Sequence, residues 1–145
     1  MSKPNIGFIG LGLMGAAMVS RLQDLGYSMS ICANISRTNI DAAVARGACE
    51  VDTARQVAAA SDIIMLCMDT TASVEARMRG PEGVISGLSA GKIVIDFGTS
   101  LPASTRALGV EVAATGAQYL DAPLGRTPAH ARDGALNIMA SGEKN

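Results

Sequence analysis

The sequence predicts an α/β fold, a mostly parallel, doubly wound sheet with helices on both faces, and three observations lead there. Short apolar runs of strand length alternate with amphipathic stretches of helical spacing along the chain. One run, residues 63–68, is apolar throughout, as a strand covered on both faces must be. Hydrophobic residues make up 48% of the sequence but aromatics only 3%, so the core must be built from Ala, Val, Ile, Leu and Met.

The elements follow in order. A first strand is expected over residues 5–9 and a first helix over 13–25, with Gly26 as its stop signal. Met14, Met18, Leu22 and Leu25 recur there at helical spacing and are read as its core face. A second strand spans 28–33, a second helix 39–46 ends at Gly47, and a short strand lies near 49–51. Asp52 or Thr53 caps a helix through Ala60, and a strand over 62–67 follows. A helix over 70–79 breaks at Gly80-Pro81, and a turn element near 82–88 leads to a fifth strand at 92–97. Pro102 suits the first turn of the next helix, which runs to near residue 115. Residues 119–122 form a sixth strand, 123–134 an irregular or briefly helical loop, and 136–140 a seventh strand. No linker, repeat or low-complexity tract interrupts the 145 residues, so a single domain over 1–145 is expected.

The junction of the first strand and helix reads Gly10-Leu11-Gly12-Leu13-Met14-Gly15. In a strand–turn–helix setting these glycines divide the work: Gly10 permits the tight turn, Gly12 lets the backbone approach a pyrophosphate, and Gly15 lets the helix lie close to the strand. Free N–H groups of the first helical turn then face the anion. The turn is therefore read as a Rossmann-type dinucleotide phosphate site made by Gly10, Leu11, Gly12, Leu13, Met14 and Gly15. An ordinary glycine turn is the weaker reading, because a second strand follows at βαβ distance.

In such a sheet, ligands lie beyond the carboxyl ends of the strands. After the second strand, no Asp or Glu occurs between Gly26 and Ile40 to accept ribose hydroxyls; Asn34, Ser36 and Arg37 stand there instead. A cation suits a 2′-phosphate, which tilts the expected cofactor, NAD(P), slightly toward NADP; the alternative is that Arg37 merely meets solvent at the start of the second helix. After the fourth strand come Met68 and Asp69, the latter equally suited to cap the following helix. After the fifth comes Thr99, either a hydroxyl for the nicotinamide end or a helix N-cap. In the loop after the sixth strand, Arg126 lies among Pro123, Gly125 and Pro128, where a guanidinium can clamp an anionic substrate, unless it is a solvated loop arginine.

Charge excludes other classes. Twelve basic and thirteen acidic residues, scattered singly for a net charge of −1, form neither a nucleic-acid stripe nor a polybasic membrane patch. No apolar run reaches transmembrane length and residues 1–5 lack the features of a signal peptide, so a cytoplasmic location is expected. Cys32, Cys49 and Cys67 are widely spaced and read as buried thiols; with a single His130 besides, no metal site is expected.

These motifs together resemble the β-hydroxyacid dehydrogenases, the group containing 3-hydroxyisobutyrate, tartronate semialdehyde and 6-phosphogluconate dehydrogenases. Residues 7–15 are similar to the family's opening signature, residues 96–102 to its Asp-x-Ser-Thr-x-x-Pro segment, and Asp121-Ala122-Pro123-Leu124 to the start of its substrate motif. There are departures. Met68-Asp69 replaces a usual Leu-Pro, Gly98 replaces Ser, and the Asn-Arg-Thr after the second strand has its counterpart in Asn34-Ile35-Ser36 or, shifted, Ser36-Arg37-Thr38. Gly125-Arg126-Thr127 replaces Ser-Gly-Gly, as in a minority branch that includes sulfolactaldehyde reductases, whose arginine binds the sulfonate. The resemblance implies an NAD(P)-dependent oxidoreductase of a small anionic hydroxyacid or semialdehyde. It also implies a catalytic lysine in an all-helical domain beyond residue 145, which closes the active site and makes a homo-oligomer, so no catalytic residue is expected here; Lys144 comes too early. The alternative is a stand-alone dinucleotide-binding module without catalysis.

Overall fold

The computed structural model describes residues 2–33 and 37–143, so Asn34, Ser36 and Lys144 lie outside the described residues. Six parallel strands form the central sheet: β1 (Ile6–Ile9), β2 (Met29–Cys32), β3 (Cys49–Val51), β4 (Ile63–Leu66), β5 (Ile93–Asp96) and β6 (Gln118–Asp121). Their order, β3-β2-β1-β4-β5-β6, reverses direction between β1 and β4. Crevices for ligands open at such a reversal.

The core divides by sheet face. On one, Ile6, Phe8, Met29 and Ile31 pack against Ala17 and Met18 of α1 (Leu13–Asp24) and Ile40 of α2 (Arg37–Ala45). On the other, Ile64, Leu66 and Val94 meet Val57 of α3 (Ala54–Ala60), Val74 and Met78 of α4 (Thr71–Met78), and Leu108 and Val112 of α5 (Pro102–Ala113). Phe8 is the one aromatic among the largest fully buried side chains, and Ile, Leu, Val and Met make up the rest.

The local chemistry of the chain sets the helix ends. Past α1, Gly26 takes φ +79°, its N–H donates to the Gln23 carbonyl at 3.0 Å, and the Tyr27 N–H reaches the Leu22 carbonyl at 3.1 Å. This is the pair of bonds by which a left-handed glycine closes a helix. Of the two candidate caps for α3, Thr53 takes the position, in a reciprocal capping box with Gln56.

Three expectations are corrected. Residues 136–140 do not add a seventh strand to the parallel sheet: β8 (Asn137–Ile138) pairs antiparallel with β7 (Leu124–Gly125), across the short helix α6 (Pro128–Arg132). Cys49 is exposed, at the start of β3, which lies at the edge of the sheet and has its first two residues exposed. Leu25 lies outside the core as the C-cap of α1, whose face ends at Leu22.

Candidate functional site

The three glycines of the turn prove physically distinct. Gly10 has φ +98°, and a Cβ on it would come within 3.0 Å of the Cys67 carbonyl oxygen; a Cβ on Gly15 would overlap the Gly10 carbonyl oxygen just as badly. Both are fixed by the packing of β1, α1 and β4. Gly12 is exposed and a Cβ there would meet nothing within 4 Å. The space before it is open, where the backbone can approach a pyrophosphate. Gly12 also N-caps α1 with no side-chain hydrogen bond, and no acid occupies the first turn. The positive end of a 12-residue helix thus faces that space uncompensated. Leu13 projects outward, Met14 packs partly on the core, and buried Leu11 gives its carbonyl to the Asn39 side-chain amide at 2.8 Å. Burial pushes the thiol of Cys67 up to about 11, so beneath this turn it is a neutral packing group.

The loops after β4 and β5 meet behind the turn. Met68 is half-buried and Asp69 exposed; Thr70, not Asp69, caps α4, accepting the Ser73 N–H at 3.0 Å, while Asp69 accepts the Ser73 hydroxyl at 3.2 Å. A Cβ on Gly98 would crowd the Met68 carbonyl at 2.9 Å, so the replacements at 68–69 and at 98 belong to one contact. Thr99 is exposed and does not cap α5, whose N-cap is Leu101, followed by Pro102 in the first turn.

Asp96 heads the 96–102 segment, but sequence reasoning gives it no role. Fully buried at the carboxyl end of β5, it accepts the Gly98 N–H at 2.8 Å, the Ser100 hydroxyl at 2.9 Å and the Tyr119 hydroxyl at 3.4 Å. It therefore holds the loop that presents Thr99. Burial, with the charge of Asp96 next in size, raises the Tyr119 phenol above its ordinary range, and the same two causes raise the Asp121 carboxyl. The available signal was an acid closing an otherwise apolar four-residue strand. Replacing Asp96 with Ala leaves buried donors unpaired, and chemical denaturation of the variant is expected to show a loss of about 2 kcal/mol or more.

Arg37 is the main change to the cofactor side. The second helix begins at Arg37, two residues before its expected start, so this residue lies in the first turn of α2 and not in a loop. Its guanidinium grips Glu50 of β3 with both terminal nitrogens, the second at 3.1 Å, and Asp41 at 2.8 Å. Hydrogen bonding to Arg37 holds the Glu50 carboxyl below its ordinary range. The guanidinium is more than half exposed and at the same time engaged by two carboxylates.

Arg126 stands at the junction of β7 and α6 with φ +77°, the one non-glycine residue with positive φ among those described. A left-handed conformation strains a residue carrying a Cβ and concentrates at functional positions. The side chain is exposed and its Nη1 donates to the Ala135 carbonyl at 3.0 Å, which aims it across the loop. Thr127 bonds through its hydroxyl to His130 Nδ1 at 2.7 Å, and Gly125 sits against Asn137. The loop rests on α1: Ala131 of α6 is buried with Ala17 and Met18, so the helix that follows the glycine turn also carries the Arg126 loop. Among the described residues no group of His, Cys, Asp or Glu is arranged to hold a metal ion.

A parallel sheet of this order, with a glycine turn delivering an uncapped helix N-terminus at the strand reversal, defines a Rossmann-type nucleotide-binding domain of the dehydrogenase class. The chain belongs to the family described as the NAD binding domain of 6-phosphogluconate dehydrogenase, which matches residues 5–145. It is 38% identical to 2-(hydroxymethyl)glutarate dehydrogenase of Eubacterium barkeri, over 92% of this chain and 44% of that protein. It is 36% identical to 2-hydroxy-3-oxopropionate reductase of Escherichia coli, over 96% of this chain and 47% of the relative. Among solved structures it resembles Psf3 in complex with NADP+ and 2-OPP, at 28% identity and TM-score 0.88, covering 95% of this chain and 49% of that one. The chain thus spans under half the length of these curated relatives. No helix among the described residues is long and apolar enough to cross a membrane.

Proposed function

We propose that this chain is the cofactor-binding half of an NAD(P)-dependent oxidoreductase acting on a small anionic β-hydroxyacid or its semialdehyde. The observation that carries this is the open space at Gly12 before an uncapped helix N-terminus, in a chain whose relatives include a dehydrogenase and a reductase of such acids. The bound nicotinamide would supply hydride exchange. The protein's part is placement. In the turn Gly10-Leu11-Gly12-Leu13-Met14-Gly15, Gly12 and the first-turn N–H groups of Leu13 and Met14 receive the pyrophosphate while Gly10, Leu11 and Gly15 shape the turn; Met68 and Asp69 line the cofactor, and Thr99 offers its hydroxyl on the loop tied to Asp96. Arg126, supported by Gly125 and Thr127, pairs with the substrate's acid group, and the Gly125-Arg126-Thr127 sequence favours a sulfonate among the possible anions. Arg37 tilts the cofactor toward NADP. The acid–base lysine and the oligomer contacts belong to a helical domain outside residues 1–145, and the reaction is assigned to the cytosol, on a free small molecule rather than at a nucleic acid or a membrane.

Titrating the 145-residue chain with NADP+ and NAD+ by calorimetry tests this. Saturable one-to-one binding with negligible turnover of any hydroxyacid is the expected result. Absence of binding would overturn the cofactor reading, and steady-state oxidation by this chain alone would overturn its assignment as the non-catalytic half.

A further inference from the structure

A clamp of two carboxylates on one guanidinium bears on cofactor choice in a way that the sequence at 34–37 does not show. Arg37 opens α2 beyond the carboxyl end of β2, the place where a dinucleotide fold discriminates a ribose hydroxyl from a phosphate. Its partners come from two directions. Glu50 projects from the edge strand β3, in register with Ile31 of β2, and takes both terminal nitrogens in a fork; Asp41 lies one helical turn along α2 and takes the second nitrogen as well. Such paired contacts fix the guanidinium plane. With one cation and two anions, the cluster carries a net charge of −1 before any ligand arrives.

We infer that Glu50 and Asp41 set the cofactor preference of this site by holding Arg37 against a 2′-phosphate, so that NADP is favoured only slightly and NAD remains accepted. The inference rests on the reading of the site as a dinucleotide site. A 2′-phosphate carries between one and two negative charges and must either share Arg37 with two carboxylates or displace them. A 2′-hydroxyl brings no charge and leaves the clamp intact. The side chains of Arg37 and Asp41 are more than half exposed and that of Glu50 about one-third, at 58%, 63% and 30%. Ion pairs this exposed are weak enough for a ligand to open, which makes the clamp a tuning device and not a block.

The experiment measures dissociation constants of NADP+ and NAD+, by calorimetry, on the intact chain and on E50Q/D41N, R37A and the triple variant, with thermal melts to confirm folding. E50Q/D41N is expected to bind NADP+ about tenfold more tightly, with NAD+ affinity changed less than about twofold, and the gain should fall below about threefold when R37A is also present. An unchanged NADP+ to NAD+ ratio in E50Q/D41N overturns the inference. So does an equal gain with and without Arg37, which would mean that the acids act only by direct repulsion. Failure of the unaltered chain to bind either cofactor would instead strike the dinucleotide reading on which the inference stands.

Discussion

Gly12→Ala is expected to leave the chain folded and to weaken dinucleotide binding by at least about tenfold, equivalent to about 1.4 kcal/mol. The added methyl meets nothing in the protein and the φ of −74° suits alanine, so the stability cost is limited to a poorer helix N-cap, about 1 kcal/mol or less. The methyl does enter the space before the helix N-terminus, where a pyrophosphate must come close to the backbone. Gly15→Ala should behave in the opposite way. Its Cβ would overlap the Gly10 carbonyl oxygen and approach the Phe8 ring at 3.1 Å, so α1 must move off β1 at a cost of about 3 kcal/mol. For a chain of this size that lowers the melting temperature by roughly 6–12 °C. Melting curves and cofactor titrations on both variants separate the two roles. Equal affinity for cofactor in Gly12→Ala and the unaltered chain would remove the pyrophosphate from this turn.

The second large effect is expected at Arg126, measured in the proposed enzyme that would join this chain to a catalytic helical domain. Arg126→Ala should lower kcat/KM for an anionic substrate at least about tenfold, or 1.4 kcal/mol, with cofactor affinity nearly unchanged. Without the cation, the acid group of the proposed substrate would be left unpaired. Arg126→Gly adds a sharper control, because glycine accepts the φ of +77° without the strain that arginine bears there. That variant should melt no lower than the unaltered protein while losing the same activity. Undiminished kcat/KM on every anionic substrate would return Arg126 to the role of a loop residue tied to the Ala135 carbonyl.

Much of the site was legible from the order of residues because its determinants are local. Strand β1, the turn at Gly10 to Gly15 and helix α1 follow one another without interruption, and a glycine stop such as Gly26 acts within one turn of its own helix. The loops at the strand ends follow from alternation alone, once each crossover is taken as parallel. Where the reading fell short, the missing partner was distant. Arg37 was read from its neighbours, yet Glu50, 13 residues away on another strand, determines what the guanidinium does. Asp96 falls inside the expected strand at 92–97 and heads a motif, but its donors come from the next loop and from Tyr119, 23 residues on. Residues 136–140 have a strand pattern that cannot tell a sheet from a hairpin, and only the register with Leu124 and Gly125 decides it.

The sequence by itself determined the class of fold and the glycine turn between β1 and α1, since periodicity, glycine placement and apolar runs act through backbone sterics and the burial of short segments. Tertiary structure decided which glycine borders open space and which face the protein's own backbone. It also decided that Arg37 is held, that Asp96 anchors the Thr99 loop, and that the Arg126 loop rests on α1. These depend on side chains and carbonyls brought within a few ångströms from distant parts of the chain, where steric overlap and hydrogen bonding act but sequence spacing carries no information.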